Sequence, residues 1–160
     1  MATANQNLSE HDDSHLPDIS QRCFSIVTAE WNREVTQSLL DGVIATLLKH
    51  GAKEKNIRSK WVPGSFELSL GAQWEAARPK VDAVICLGCV VQGETPHFDY
   101  ICQSVAQGMK DVALKYDKPV IFGVLTTLNQ EQALARAGGK HGNKGDEAAI
   151  TAIKMLGFNE

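Results

Sequence analysis

Residues 81–91 read VDAVICLGCVV, and residues 93–100 read GETPHFDY. The first stretch is almost continuously apolar, which is typical of a parallel strand that is covered on both faces. In the second stretch Pro96 suits the first turn of a helix, and Thr95 suits the N-cap before it. The sequence therefore predicts a strand whose carboxyl end carries a hydroxyl, free helix N–H groups and the His97 imidazole. In open α/β sheets ligands bind at that edge, and free N–H groups at a helix start favour an anion, often a phosphate.

The rest of the chain alternates between strands and helices in the same way. Apolar patterns predict strands over residues 23–29, 57–62, 81–90 and 119–126. Helical spacing predicts helices over 33–50, 65–77, 97–116, 131–137 and 144–156, with a loop over 138–142. Asn32 and Asn143 are expected to cap the first and the last of these helices. The fold class that follows is α/β: a four-stranded parallel sheet between two layers of helices, which is a three-layer α/β/α sandwich.

The composition is that of one ordinary domain. The chain has 160 residues, of which 43% are hydrophobic and 22% charged, and its net charge is −3. That charge gives no reason to expect nucleic acid or an anionic membrane as a partner, and no apolar run approaches the ~20 residues that a membrane span needs. Residues 1–20 are polar and acidic and lack the features of a signal or transit peptide. We expect a flexible tail over residues 1–20 and one domain over residues 21–160, in a cytoplasmic protein.

Cys86 and Cys89 have the Cys-x-x-Cys spacing of redox and zinc-binding motifs. Inside a strand, however, side chains three residues apart point to opposite faces of the sheet, so two such thiols cannot coordinate the same metal ion. The other two cysteines, Cys23 and Cys102, do not supply a second pair with that spacing. We therefore predict packed free thiols in a reducing cytoplasm, no metal site and no cofactor.

Four segments with chemically useful side chains fall at predicted strand ends. They are EWN over 30–32, PGSFE over 63–67, GETPH over 93–97 and FGVLTT over 122–127. Because the carboxyl ends of parallel strands lie on one edge of a sheet, the four segments should converge. Together they offer an aromatic face, a carboxylate, a hydroxyl and an imidazole, which predicts a pocket for a polar small molecule.

Each candidate residue also has a purely structural explanation. Trp31 can be a packed surface aromatic, and Glu67 can simply complement the positive end of its helix. His97 can be a neutral histidine at a helix end, although its place beside a predicted anion site favours proton transfer. The basic residues near the end of the chain can form a solvated patch; they are Arg136, Lys140, His141 and Lys144.

Taken in register, several motifs resemble lumazine synthase, the penultimate enzyme of riboflavin biosynthesis. These motifs are Trp31-Asn32, VPGSFE over 62–67, LGCVVQGETPHFDY over 87–100, FGVLTT over 122–127, EQA over 131–133, RAG over 136–138 and GNKG over 142–145. The resemblance covers residues 23–156, in order and with the family's spacing. It implies a flavodoxin-like fold. It also implies condensation of 5-amino-6-(D-ribitylamino)uracil with 3,4-dihydroxy-2-butanone 4-phosphate to 6,7-dimethyl-8-ribityllumazine, with release of phosphate and water.

The resemblance further implies a role for each site residue. The pyrimidine and its ribityl chain would be bound by Trp31, Ser65, Phe66, Glu67, Val90, Val91, Phe122 and Lys144. The phosphate would be held by Thr95, by the backbone around Glu94, and by Arg136 from the adjacent subunit, while His97 would move protons. Three positions depart from the family's usual residues, namely Trp31, Ser69 and Gln92, and none of these changes removes a chemical role.

Other functional classes share this fold. One alternative is a non-catalytic carrier of flavin or lumazine, and another is a shell-forming protein whose main task is encapsulation. The set Thr95, His97 and Arg136 argues against a pure carrier, since a binder needs no phosphate clamp.

The resemblance also implies a homo-oligomer. It implies pentamers, and because the glycine-rich connection over 138–142 has the length seen in shell-forming relatives, the resemblance also implies their assembly into an icosahedral shell. In that assembly the segment before Phe24 is expected to add a strand to a neighbour's sheet edge. Riboflavin synthase is a further partner that the resemblance suggests.

Overall fold

A parallel sheet lies at the centre of the structure, a computed structural model that describes residues 7–158. Its strands are β1 (Phe24–Ala29), β2 (Ile57–Val62), β3 (Ala83–Val91) and β4 (Val120–Thr127), in the spatial order β2-β1-β3-β4. The helices are α1 (Arg33–Lys49), α2 (Leu68–Ala76), α3 (His97–Tyr116), α4 (Gln130–Leu134) and α5 (Lys144–Phe158), and a 3-10 turn covers Glu54–Asn56. All neighbouring strands of this sheet pair in parallel, which confirms the predicted α/β class.

Strand β3 occupies an inner position of the sheet and pairs with β1 on one side and β4 on the other. Its first seven residues are fully buried, as its continuous apolar run predicts. Helices α1 and α5 cover one face of the sheet, and α2 and α3 cover the other. The three-layer arrangement is therefore confirmed, and every strand of the parallel sheet ends on the same edge.

Cys86 and Cys89 lie on opposite faces of β3. Cys89 packs in the core beneath α1 and α5, whereas Cys86 packs in the core beneath α2 and α3. Both thiols are free, as are those of Cys23 and Cys102. Burial raises the pKa of Cys86 to about 12 and that of Cys89 to about 11. The prediction of packed free thiols is confirmed.

The helix starts differ in detail from the sequence prediction. Asn32 precedes α1 with a left-handed backbone, φ 59° and ψ 47°, and its side chain does not cap the helix. Asparagine is one of the few residues that tolerate this conformation. At α3 the predicted Thr95 cap is also wrong, because Pro96 takes the cap position and no side chain caps this helix. Helix α2 begins at Leu68 rather than at Ser65, since residues 65–67 form a turn.

The glycine-rich segment predicted as a loop contains a small antiparallel hairpin. Its strands are β5 (Ala137–Gly139) and β6 (Gly142–Asn143), with positive φ angles at Gly138 and Gly142. Strands this short carry no readable periodicity, which is why the sequence pattern suggested a loop. The Asn143 carboxamide accepts a hydrogen bond from the Gly145 N–H at 2.8 Å, so the predicted cap of α5 is present.

The segment before β1 lies against the domain. Residues 7–23 contain no strand, yet Leu8 and Ile19 are buried. Leu16 also packs against the core beneath α1 and α5. Residues 1–6 of the predicted tail lie outside the described residues. The tail boundary and the strand added to a neighbour's sheet stay predictions. Among the helices within residues 7–158, none combines the length and the hydropathy that a membrane crossing requires.

Candidate functional site

A cleft of about 600 Å³ opens at the carboxyl edge of the sheet. The loops after β1 and β2, the end of β3 and the start of α3 contribute its walls. Its lining residues are Trp31, Asn32, Gly64, Ser65, Phe66, Glu67, Cys89, Val90, Val91, His97 and Ile101. Three of the four segments that the sequence predicted to converge therefore meet here.

Backbone and side-chain hydrogen bonds fix the strand ends around this cleft. The Trp31 N–H donates to the Pro63 carbonyl oxygen at 3.3 Å, which joins the loops after β1 and β2. The Asn32 side-chain amide donates to the Cys89 carbonyl oxygen at 2.9 Å, which joins the loop after β1 to β3. Sequence reasoning missed this role of Asn32, because the partner lies 57 positions away in the chain.

The floor of the cleft depends on a close approach between Ser65 and Gly88. A Cβ atom at position 88 would lie 2.7 Å from the Ser65 hydroxyl oxygen and 3.0 Å from Leu68 Cδ1. Such distances are too short for a real side chain, so only glycine lets Ser65 reach β3. Ser65 is only 7% exposed and lines the cleft.

Two large aromatic side chains stand exposed at the rim. Trp31 is 73% exposed and Phe66 is 56% exposed, although both line the cleft. Exposed aromatic surface around a concave site is typical of places where a ligand or another protein binds. An aromatic ligand can stack there, and the exposed remainder can contact a second chain.

His97 is the first residue of α3 and an exposed member of the cleft lining. Glu94 and Thr95 lie in the loop before it and are exposed, but neither lines the cleft. Glu67 is also exposed at the start of α2 and does line the cleft. The cleft thus holds an imidazole and a carboxylate beside a helix N-terminus, where an anion is favoured.

Three of the predicted site residues lie elsewhere on the chain. Phe122 and Lys144 line a second cavity of about 620 Å³ along the β4 edge. Arg136 lines a third cavity of about 320 Å³, together with Lys140 and His141. Phe122 was predicted at a strand end, but it pairs with Cys86 near the start of β4. A single chain therefore does not bring these residues into the first cleft.

The β5–β6 hairpin connects the second and third cavities. The Lys144 N–H donates to the Arg136 carbonyl oxygen at 2.8 Å, so the two cationic residues flank the hairpin side by side. The Lys144 ammonium pairs with the Glu147 carboxylate at 2.6 Å, and one Arg136 guanidinium nitrogen donates to the Gln132 carbonyl oxygen at 3.1 Å. These contacts leave donors of the Arg136 guanidinium for an anion. Within residues 7–158 no group of three or more histidine, cysteine or acidic side chains is arranged to hold a metal ion.

Comparison with known proteins decides the family. Residues 21–160 match the family model described as 6,7-dimethyl-8-ribityllumazine synthase. The chain belongs to the lumazine synthase family. The relative from Cytophaga hutchinsonii that carries the same name is 62% identical over 156 residues, or 98% of each chain. The relative from Parabacteroides distasonis is 57% identical and covers 99% of each chain. That from Phocaeicola vulgatus is 54% identical over all of this chain and 95% of its own.

Membership of the lumazine synthase family agrees with the fold, a four-stranded parallel sheet flanked by helices. It confirms the resemblance drawn from the sequence motifs. The matches give no support to a non-catalytic carrier or to a protein that only forms a shell.

Proposed function

We propose that the first cleft binds both substrates of lumazine formation and is completed by residues of a second copy of the chain. As a member of its family the chain is an enzyme, a transferase. It condenses 5-amino-6-(D-ribitylamino)uracil with 3,4-dihydroxy-2-butanone 4-phosphate to 6,7-dimethyl-8-ribityllumazine. This is the penultimate step of riboflavin biosynthesis. The observation that supports the shared cleft is the separation of Phe122, Arg136 and Lys144 from it within one chain.

The proposed residue roles follow from chemistry and position. The Trp31 ring stacks on the pyrimidine, and Ser65 and Glu67 hydrogen-bond the hydroxyls of the ribityl chain. Phe66, Val90 and Val91 supply apolar contact around them. The free N–H groups before α3, with Thr95 and the backbone at Glu94, bind the phosphate from one side.

Proton transfer falls to His97, the imidazole of the cleft. The amine of the pyrimidine attacks the ketone, and water leaves to give an imine. Elimination of phosphate then leaves an enol, which tautomerises to a ketone. The ribityl-bearing nitrogen attacks this carbonyl, and loss of a second water closes the lumazine ring. The amine is already a competent nucleophile. The protein therefore contributes mainly orientation and proton transfer.

Two apolar surfaces support the contact between copies. An exposed apolar stripe consists of Leu70 and Trp74, which are one helical turn apart on α2, and Phe66 in the turn just before the helix. An exposed apolar groove follows the β4 edge, with Leu114, Phe122, Met155 and Phe158. The stripe begins at the first cleft and the groove holds Phe122 and Lys144. Seating the stripe of one copy in the groove of the next brings the separated site residues together.

Such a contact joins two different surfaces and repeats from copy to copy. Contacts of this kind close into rings when the rotation allows it. We propose pentamers, and an icosahedral shell of pentamers in view of the short hairpin connection, with riboflavin synthase as a partner. The free cysteines suit a reducing compartment, and a cytoplasmic location is part of the same proposal.

Incubation with both substrates tests the activity. We expect the absorbance and fluorescence of the lumazine product and stoichiometric phosphate. A folded protein that forms no product would contradict the reaction.

Mixing of variants tests the shared cleft. One variant carries Trp31→Ala and His97→Ala, and the other carries Arg136→Ala and Lys144→Ala. After joint unfolding and refolding in equal amounts, about a quarter of the contacts join two intact sides. We expect activity well above the mean of the two separate variants. A mixture no more active than that mean would show that each cleft is built from one chain.

A further inference from the structure

The N-terminal residues 7–9, which we name the N-terminal strap, lie directly on the tip of the β5–β6 hairpin. The Leu8 N–H donates to the His141 carbonyl oxygen at 2.8 Å. The Asn143 N–H donates to the Ser9 hydroxyl oxygen at 2.9 Å. The Leu8 side chain is only 4% exposed. The strap thus satisfies one backbone group in the hairpin turn and one in β6, and its own apolar side chain is buried.

The strap also has a defined shape of its own. The Asn7 side-chain oxygen accepts a hydrogen bond from the Ser9 N–H at 3.0 Å, and the Asn7 carbonyl oxygen accepts one from the Glu10 N–H at 3.2 Å. These bonds form a turn of the kind that asparagine favours. The strap reaches the hairpin as a folded unit.

Gly142 makes the close approach possible. Its φ is +79°, and a Cβ atom at this position would lie 2.7 Å from the Ser9 nitrogen and 2.9 Å from the Leu8 nitrogen. Any other residue would have to displace the strap backbone. The hairpin tip is therefore shaped to receive the strap.

The hairpin needs such external contacts because it is short. Two paired strands of this length are marginal by themselves, and two residues in the segment have positive φ. From α1, the Ser38 hydroxyl donates to the Ala137 carbonyl oxygen at 2.7 Å, and the Asn143 side-chain amide donates to the Ser38 carbonyl oxygen at 2.9 Å. The hairpin is held by α1 at its base and by the strap along its turn and β6.

We infer that the strap is a positioning element for the phosphate clamp. Arg136 directly precedes the hairpin and Lys144 directly follows it, so hairpin position sets the position of both cations. A binding group must be held to within about 0.5 Å to act at full strength. This inference rests on the phosphate role proposed for Arg136. Leu8 and Ser9 then tune affinity for the substrate phosphate without touching either substrate.

Steady-state kinetics of Ser9→Ala and Leu8→Ala test the inference. Loss of one such hydrogen bond is worth about 1 kcal/mol, so we expect the KM for the butanone phosphate to rise in Ser9→Ala by up to about five-fold, the limit at which the whole loss appears in phosphate binding. Leu8→Ala should raise it at least as much. The KM for the pyrimidine should rise less, because Lys144 is also held by its ion pair with Glu147 of α5, and kcat should stay within about two-fold. Ser14→Ala is the matched control, because the Ser14 hydroxyl bonds the Asp12 carboxylate in the same exposed segment.

Two outcomes would overturn the inference. Equal rises in both KM values would mean a general loss of structure, and unchanged values in both strap variants would mean that the clamp does not depend on the strap. A double variant separates positioning from bulk stability. Ser9→Ala should add little to the KM of Arg136→Ala, because the group that it positions is then missing.

Amide hydrogen exchange keeps this test distinct from that of the proposed function. We expect faster exchange over residues 137–143 in Leu8→Ala than in Ser14→Ala. If Arg136→Ala leaves the phosphate KM unchanged, the proposed role of Arg136 fails, whatever the exchange shows. If Arg136→Ala raises that KM and exchange in Leu8→Ala equals that of the control, the strap inference fails alone.

Discussion

Arg136 and Lys144 are neighbours across the two ends of the β5–β6 hairpin, joined by a hydrogen bond from the Lys144 N–H to the Arg136 carbonyl oxygen of 2.8 Å. Eight positions of sequence separate them, yet the hairpin turns the chain back so that both cations flank one small element. The position of this one element therefore sets where both side chains leave the backbone.

We expect Arg136→Ala to raise the KM for the butanone phosphate by about 10- to 100-fold, because a charge-assisted bidentate contact contributes about 1.5–3 kcal/mol. Arg136→Lys should recover part of this loss, since it keeps the charge but lacks the planar fork. The KM for the pyrimidine should change far less. Equal changes for both substrates would assign Arg136 to the subunit contact instead.

We expect His97→Ala to lower kcat by about 100-fold or less. This is the low end of the rate enhancement that general acid–base catalysis contributes. The reason is that the amine needs no activation. His15→Ala, which alters an exposed histidine before β1, is the control and should keep the full rate. Complete inactivity of a correctly assembled His97 variant would mean that the imidazole does more than transfer protons.

We expect Gly88→Ala to lower the thermal midpoint and to weaken pyrimidine binding. The new methyl group would lie 2.7 Å from the Ser65 hydroxyl oxygen, and overpacking of this kind costs about 1–3 kcal/mol. Gly93→Ala is the control for stability, because nothing lies within 4 Å of a Cβ there. Adding Ser65→Ala to the Gly88 variant should restore part of the midpoint. Without that recovery, the contact between the two residues is not the cause.

Ionisation of Glu75 should contribute to the decrease in the free energy of unfolding at acid pH. Glu75 is 2% exposed and receives hydrogen bonds from Ser25 at 2.9 Å and Arg78 at 3.1 Å and an ion pair from Lys60 at 2.9 Å. Burial by itself raises the pKa of Glu75, but the bonds from Lys60, Ser25 and Arg78 outweigh it and leave the pKa below its usual range. Its stabilisation is therefore present above the pKa of the unfolded chain and is lost as the pH falls through the lower pKa of the folded chain.

The corresponding variant is Glu75→Gln, studied by urea unfolding at several pH values. We expect a loss of about 1–3 kcal/mol near pH 7, because the Lys60 and Arg78 side chains are half-exposed and can rehydrate, and a weaker pH dependence of the free energy of unfolding below about pH 4.5. Glu54→Gln, at an exposed position of the 3-10 turn, should show neither effect. A Glu75 variant with unchanged acid dependence would rule out this carboxylate as the titrating group.

Trp74→Glu should reduce the size of the assembly, because it places a charge in the proposed apolar stripe, on a tryptophan that is 63% exposed. Light scattering at neutral pH gives the size, and Gln107→Glu on an exposed position of α3 is the control. Particles of unchanged size in the Trp74 variant would exclude the stripe as the contact surface.

Much of the fold could be predicted because its signals are local. The range of β2 was predicted to the residue, and so was that of α3, since turn residues and helical spacing mark their ends. The side-chain role of Asn32 could not be found in this way, because its carboxamide bonds a carbonyl on a strand far along the chain. The prediction of Thr95 as the cap of α3 was wrong for a different, local reason. Pro96 itself takes the cap position, and its carbonyl oxygen accepts a hydrogen bond from the Asp99 N–H at 3.0 Å.

The candidate site was predictable only in part. Trp31, Ser65 and His97 meet in one cleft because all three follow parallel strands, and topology alone predicts that. Phe122 and Lys144 lie on another surface. Phe122 lies well before the end of β4, and Lys144 follows a hairpin that the sequence pattern did not predict. The residues that a second copy would contribute depend on which surfaces of the two folded chains fit together. The sequence pattern alone does not predict those surfaces.

Because Cys86 and Cys89 are buried beneath different helix layers, labelling of their thiols measures when each layer separates from the sheet. With pKa values of about 12 and about 11, both thiols stay protonated and shielded at neutral pH. A thiol-specific label applied to the native chain should therefore reach Cys23 and Cys102, which are half-buried, and spare the other two. Since Cys86 and Cys89 face opposite layers of helices, the order in which they become labelled under mild denaturant would show which layer detaches first.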